Sequence, residues 1–270
     1  MADAVFTKLS LFISRILCYN FHMTEITLLE TEHIEYLKPN FGLVVSPLHT
    51  FGTDAVLLSH FAAPKRQDTA CDLGTGCGII PMLWARDGLC KRIDGVEIQE
   101  AGVNQLLRSA LANGLEDKLF VHCADLRGLG GVLQKAAYDL VTMNPPYKAA
   151  DSGIPSAAQH EKIARHETLC TFSDVTAAAS DLLRFGGRLC ICFRPERLAE
   201  AICCMQAKKI EPKRLRLVSK NPQTAPWLCL LEGRLGGKVG MRVEPNLFVY
   251  DNEGNLSDEM HRIYGAYKEV

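Results

Sequence analysis

The residues best equipped for chemistry are Asn144, Pro145, Pro146 and Tyr147, which follow directly on the apolar run from Asp139 to Met143. An asparagine side-chain oxygen and a backbone carbonyl are both acceptors, so Asn144 and Pro145 together can take the two hydrogens of one planar NH2 group. Tyr147 adds a flat face for an aromatic ring. Two successive prolines fix φ and push Asn144 away from helical geometry, so the acceptors are set before a substrate arrives. The chemistry this arrangement serves is methyl transfer to an amino nitrogen.

A second constellation fits a methyl donor. Residues 68–83 run through a short apolar strand with Asp72, a turn carrying Gly74, Gly76 and Gly78, and an apolar stretch able to begin a helix. Glycine serves where backbone takes positive φ or approaches a ligand. A dinucleotide loop is spaced G-x-G-x-x-G before a helix that faces pyrophosphate. Here the third glycine comes one residue early, and the charge of Asp72 disfavours pyrophosphate. It suits a ligand with an ammonium group, such as the amino-acid end of S-adenosyl-L-methionine. The next strand ends in Glu97, 25 residues after Asp72, close to where an α/β nucleotide fold places its ribose-diol acceptor. A third strand ends in Asp125, which either accepts from a cofactor adenine or caps a helix starting at Leu126. Three acids and Asn144 thus stand at the carboxyl ends of four successive strands, where open parallel sheets bind ligands.

With these motifs in view, the chain resembles class I S-adenosylmethionine-dependent methyltransferases of the N6-adenine type. It is most similar to the bacterial enzymes that methylate the adenosine next to the anticodon, position 37, of a valine tRNA. The resemblance spans roughly residues 27 to 267. It rests on the blocks Phe51 to Leu58, Asp72 to Gly78, Gly95 to Gln99, Asn144 to Tyr147, Ile163 to Glu167, Glu211 to Arg214 and Phe248 to Asp251. The Asn-Pro-Pro-Tyr box is shared with enzymes acting on DNA, ribosomal RNA and protein glutamine, and the flanking blocks narrow it. The resemblance implies catalysis by Asn144, Pro145, Pro146 and Tyr147, with the cofactor held by Thr53, Asp54, Asp72, Gly74, Gly76, Gly78, Glu97, Asp125 and Asn144. Thr53 and Asp54 would meet its methionine end, although as a pair they can equally cap the following helix. Tyr147, Arg165, His166, Lys213 and Arg214 would contact a tRNA anticodon stem-loop. Rival readings are protein-glutamine N5 methylation, guanine-N2 methylation of ribosomal RNA, DNA adenine methylation and a non-catalytic RNA-binding protein that has kept the fold.

The elements needed to hold these residues form one α/β unit. Strands are expected near 68–73, 92–98, 118–123, 138–144, 188–193, 213–219 and 227–234, with helices near 78–88, 99–113, 126–136, 173–184 and 195–209. Residues 31–66 supply an opening strand and an amphipathic helix around Asp54 to Phe61. Lys220 to Pro226 is too short for a crossover helix, so the last two strands should pair antiparallel. The expected fold is therefore Rossmann-like, a seven-stranded, mostly parallel sheet with an antiparallel last strand and helices on both faces.

Composition agrees with that fold. The chain has 270 residues, 47% of them apolar, and a net charge of −1, so any RNA contact must come from a local patch. Lys208, Lys209, Lys213, Arg214, Arg216 and Lys220 make a cationic strip that serves as a solvated face or as a phosphate track. The 11 cysteines contain no C-x-x-C pair, which fits reduced thiols in a cytoplasmic protein without bound metal. His160, Arg165 and His166 lack a third neighbouring ligand. Leu9 to Tyr19 is apolar but interrupted by Arg15 and too short to span a bilayer. Residues 1–22 lie outside the family pattern, Met23 is the expected biological start, and residues 23–270 are expected to form one domain.

Overall fold

A computed structural model describes residues 26–145 and 170–268. Strands β1 (His33–Lys38) and β2 (Phe41–Val45) pair antiparallel, with Asn40 in the left-handed region at φ 60° between them. The expected single opening strand is thus a hairpin. Helix α1 (Thr53–Ala62) follows. It is buried almost all round, including Ala55 through Ser59, rather than amphipathic.

The remaining strands are β3 (Thr69–Leu73), β4 (Arg92–Glu97), β5 (Leu119–Cys123), β6 (Tyr138–Met143), β7 (Leu183–Phe193), β8 (Ile210–Ser219) and β9 (Pro226–Leu235). They lie in the order β8-β9-β7-β6-β3-β4-β5. All neighbours are parallel except around β9, which runs antiparallel to both β7 and β8. The short connection after β8 forces that direction, because a parallel return needs a crossover of a dozen or more residues. Two-residue strands β10 (Arg242–Val243) and β11 (Leu247–Phe248) extend the β8 edge.

Central strands read as continuous apolar runs because both faces are covered. Leu189 to Phe193 of β7 are all fully buried. Each large apolar side chain so enclosed contributes ~1.5–3 kcal/mol. On one face α1, α2 (Ile79–Arg86), α3 (Glu100–Ala112) and α6 (Asp258–Tyr264) build a core containing Trp84, Leu106 and Met260. On the other, α4 (Phe172–Leu182) and α5 (Leu198–Ala207) cover Val141, Ile191 and Leu231. Thr171 and Asp174 cap α4 reciprocally, the Thr171 hydroxyl accepting from Asp174 N at 3.2 Å and Asp174 Oδ2 from Thr171 N at 2.9 Å.

The helix expected over 126–136 is instead a 3-10 turn, Leu126–Gly128, followed by irregular chain. Gly128, Gly130 and Gly131 explain this, since glycine interrupts a helix at about 1 kcal/mol each. Leu129 and Leu133 are nevertheless buried, so the apolar pattern reflected packing without helix. Cys71, Cys190 and Cys192 are fully buried in strands, whereas Cys123 is exposed at the end of β5. The described cysteines are all free. Among the described residues no helix is long and apolar enough to cross a membrane, and no three His, Cys, Asp or Glu side chains gather as a metal site.

Candidate active site

The parallel strands β3, β4, β5 and β6 end on one side of the sheet, and the chain leaving each contributes to a single cavity of about 410 Å³. After β3 come Gly74 and Gly76, both at positive φ (62° and 59°). This turn is tied to β4 by the Thr75 N–H donating to Val96 O at 2.9 Å. β4 ends in Glu97, whose two oxygens accept from the backbone N–H groups of Gly76 and Gln99, each at 2.9 Å. Glu97 is thereby fixed in direction at the cavity wall rather than left to choose a rotamer. β5 leads to Asp125 and β6 to Asn144 and Pro145, and all three line the same space.

Asp125 has two occupations. Its Oδ1 accepts from Arg127 N at 2.9 Å, capping the 3-10 turn, while the Arg127 guanidinium bonds both carboxylate oxygens. The guanidinium holds the Asp125 carboxyl below its ordinary range. Asp54, from the first turn of α1, also lines the cavity and accepts from Asn144 Nδ2 at 3.2 Å. With three carboxylates and no lysine or arginine among its described lining residues, the cavity suits a ligand carrying positive charge.

Several expected contacts are placed elsewhere. Asp72 lies beneath the glycine turn, 2% exposed, outside the cavity lining, and accepts from Thr142 Oγ1 at 2.6 Å. Burial pushes its carboxyl up to about 7, against the hydrogen bonds that favour the charged form. Gly78 also stands off the cavity, because it caps α2 where that helix meets α3. A Cβ there would lie 2.1 Å from Leu106 Cδ1. The Thr53 hydroxyl is 3.0 Å from the Tyr264 hydroxyl, which ties α1 to α6. Pro146, Tyr147, Arg165 and His166 lie outside the described residues.

Three members of the cationic strip have partners within the fold. Arg214, expected at the RNA, bonds Glu232 Oε2 at 2.9 Å and lies over the Phe61 ring at 3.9 Å. Lys213 Nζ donates to the carbonyls of Lys238 (2.9 Å) and Gly240 (2.6 Å). Arg216 makes a two-bond fork with Glu259, both at 2.8 Å. These three cations hold β8 to its surroundings. The physical reason is that β8 is flanked by Glu232 of β9 and Glu259 of α6, which take the two arginines, and by the carbonyls of residues 238 and 240, which take Lys213.

The cavity also includes Leu48, His49 and Thr50, together with Ile98 and Gln99, of which only Ile98 and Gln99 fall in a block that the sequence singles out. The loop 48–50 runs straight into the block beginning at Phe51, and that adjacency was the available signal. Cys192 was another omission. Its Sγ donates to Asn144 Oδ1 at 3.0 Å.

A parallel sheet with one antiparallel strand beside its last parallel pair, an acid-and-glycine turn, and Asn-Pro at the fourth strand's end define a Rossmann-like methyltransferase. The chain belongs to the methyltransferase small domain family, whose sequence profile matches residues 51–208. It is 26% identical over 189 residues to the tRNA1(Val) (adenine(37)-N6)-methyltransferase of Porphyromonas gingivalis, covering 68% of this chain and 73% of that protein. It is 27% identical over 209 residues to the enzyme of the same name from Tolumonas auensis, covering 77% of this chain and 85% of that one. Among solved structures, a predicted O-methyltransferase from Agrobacterium tumefaciens superposes with a TM-score of 0.65 at 19% identity, covering 80% of this chain and 97% of its own. That likeness speaks for the fold.

Proposed function

We propose that this protein methylates the exocyclic N6 of an adenine in tRNA, at position 37 of a valine tRNA as in its named relatives, using S-adenosyl-L-methionine. The observation that carries the reading is that Asn144 and Pro145 open onto the same cavity as Glu97 and Asp125. The cavity fits the cofactor on its own chemistry. Glu97 is held by two backbone donors, in the position to accept from a ribose diol. Gly76 leaves open space where a side chain would project. Asp54, Glu97 and Asp125 supply the negative surroundings that a sulfonium and an ammonium favour. When bound, the cofactor supplies an electrophilic methyl group.

The chain's own contribution is electrostatic and positional. An adenine amino nitrogen is a poor nucleophile because its lone pair is delocalised into the ring. Asn144 Oδ1 and the Pro145 carbonyl accept its two hydrogens, draw the nitrogen toward tetrahedral geometry, and stabilise the positive charge that develops as it attacks. The proton leaves after the methyl arrives, so no strong base is needed beforehand. A base within a tRNA loop must be turned out to reach the cavity. Tyr147, two residues beyond Pro145, is the proposed stacking partner, with Arg165 and His166 contacting the loop backbone. A tRNA substrate fits the expected cytoplasmic setting.

The test is incubation with labelled S-adenosylmethionine and tRNA from a strain lacking this gene, followed by nucleoside mass spectrometry. N6-methyladenosine appears with the wild type. Asn144→Ala lowers turnover about 100-fold or more while cofactor affinity stays near normal. Label in protein or ribosomal RNA instead would overturn the substrate assignment.

A further inference from the structure

Asn144 Nδ2 donates to Asp54 Oδ2 at 3.2 Å, and Asn144 Oδ1 accepts from Cys192 Sγ at 3.0 Å. The two ends of one carboxamide are therefore held by residues 90 and 48 positions away. We propose that Asp54 and Cys192 are positioning residues for Asn144, gripping its carboxamide so that Oδ1 is held as an acceptor for the substrate amino group. The inference rests on the reading of Asn144 given above.

Which way a carboxamide points is decided by its partners. An ionised Asp54 is acceptor-only, so Asn144 must turn its NH2 toward it and its oxygen away. A thiol facing that oxygen reinforces the same choice, because S–H donates to the oxygen while sulfur would be only a weak acceptor for a flipped NH2. A carbonyl oxygen has two lone pairs, so one remains for the substrate after Cys192 has used the other. Donation from Nδ2 to a carboxylate also polarises the amide and strengthens its oxygen as an acceptor.

The surroundings hold both jaws. Asp54 Oδ1 accepts from Ala55 N at 2.9 Å, while Oδ2 accepts from Asn144. Gly52 makes room, since a Cβ there would lie 2.7 Å from Asp54 Oδ1, although its own φ of −116° is open to any residue. Cys192 is set by sheet register. β6 and β7 pair Met143 with Ile191, and one step further brings Asn144 beside Cys192. Cys192 is fully buried and does not line the cavity, so it acts on the reaction only through Asn144.

The experiment compares wild type, Cys192→Ala, Cys192→Val and Cys192→Ser in the full-length protein. Steady-state methylation of unmodified tRNA, S-adenosylmethionine affinity and melting temperature are measured for each. Loss of one modest hydrogen bond lowers kcat about 3- to 10-fold in the alanine and valine variants. Cofactor affinity stays within about twofold, and the serine variant, which keeps a donor, recovers most of the rate. Valine keeps the site filled if alanine fails to fold. A purely structural cysteine would move the melting temperature without this split between alanine or valine and serine. Wild-type protein that methylates adenine while both donor-free variants keep full kcat overturns the positioning role alone. Wild-type protein that leaves adenine unmethylated overturns the functional reading, and this inference with it.

Discussion

Gly76 and Gly78 share a turn and a positive φ, yet the structure assigns them different work, and alanine substitution separates the two. At Gly78 (φ 89°) an added Cβ would stand 2.1 Å from Leu106 Cδ1 and 2.8 Å from its Cγ. Leu106 is fully buried in α3, so it has no free direction in which to retreat. Left-handed backbone costs a side chain about 1–2 kcal/mol, and overpacking a core adds about 1–3 kcal/mol. Gly78→Ala should therefore lose about 2–5 kcal/mol, a fall in melting temperature of about 5–15 °C for a domain of this size. At Gly76 (φ 59°) nothing lies within 4 Å of the added atom. Only the backbone term applies, about 1–2 kcal/mol, but the methyl projects at a residue lining the cavity. Gly76→Ala should melt within a few degrees of wild type and bind S-adenosylmethionine about tenfold more weakly or worse. Scanning calorimetry and titration calorimetry read the two effects separately. The reasoning is refuted if Gly78→Ala melts with the wild type, or if Gly76→Ala is the less stable variant and binds cofactor normally.

Asp72 supplies a pH test. An unfolded aspartate titrates near 3.9 and the folded one at about 7, so the folded protein holds the extra proton between those values. Stability from this group is fully present below the lower value, falls as pH rises through the window, and is flat above it. Asp72→Asn removes that fall, and denaturant unfolding should show the variant gaining on wild type from pH 5 to pH 8, by at most about 3 kcal/mol. Parallel pH profiles for the two proteins would contradict it. Arg214→Ala should lower stability by about 1–3 kcal/mol, because it leaves Glu232 with only the Arg188 guanidinium and takes the cation off the Phe61 ring. The Michaelis constant for tRNA should not move. A raised constant with unchanged melting would return Arg214 to the RNA surface.

What could be read in the sequence was what depends on neighbours along the chain. Apolar runs ending in Glu97, Asp125 and Asn144 marked strands and the acids at their ends, and the short link after Ser219 fixed the direction of β9. Side chains whose partners come from elsewhere were harder to read. Asp72 reads along the chain as a ligand-facing acid, but its partner Thr142 lies on the adjacent strand β6 and draws it beneath the turn. Along the chain Arg214 and Arg216 read as solvated cations, because Glu232 and Glu259, which bind them, are distant in sequence. Cys192 carries no local signal, since its closeness to Asn144 exists only through the register of β6 on β7. The glycines at 128, 130 and 131 were the readable warning against a helix there, outweighed by the buried Leu129 and Leu133.

The antiparallel strand β9 has a consequence for how this protein is made. During synthesis β7 emerges before β9, so its apolar segment from Leu189 to Phe193 stands as an open sheet edge until residues 226–235 arrive to cover it. An edge of that kind templates pairing with other chains. A ribosome stalled between these two strands would release a fragment that already carries the cavity-forming ends of β3 to β6 and aggregates through β7.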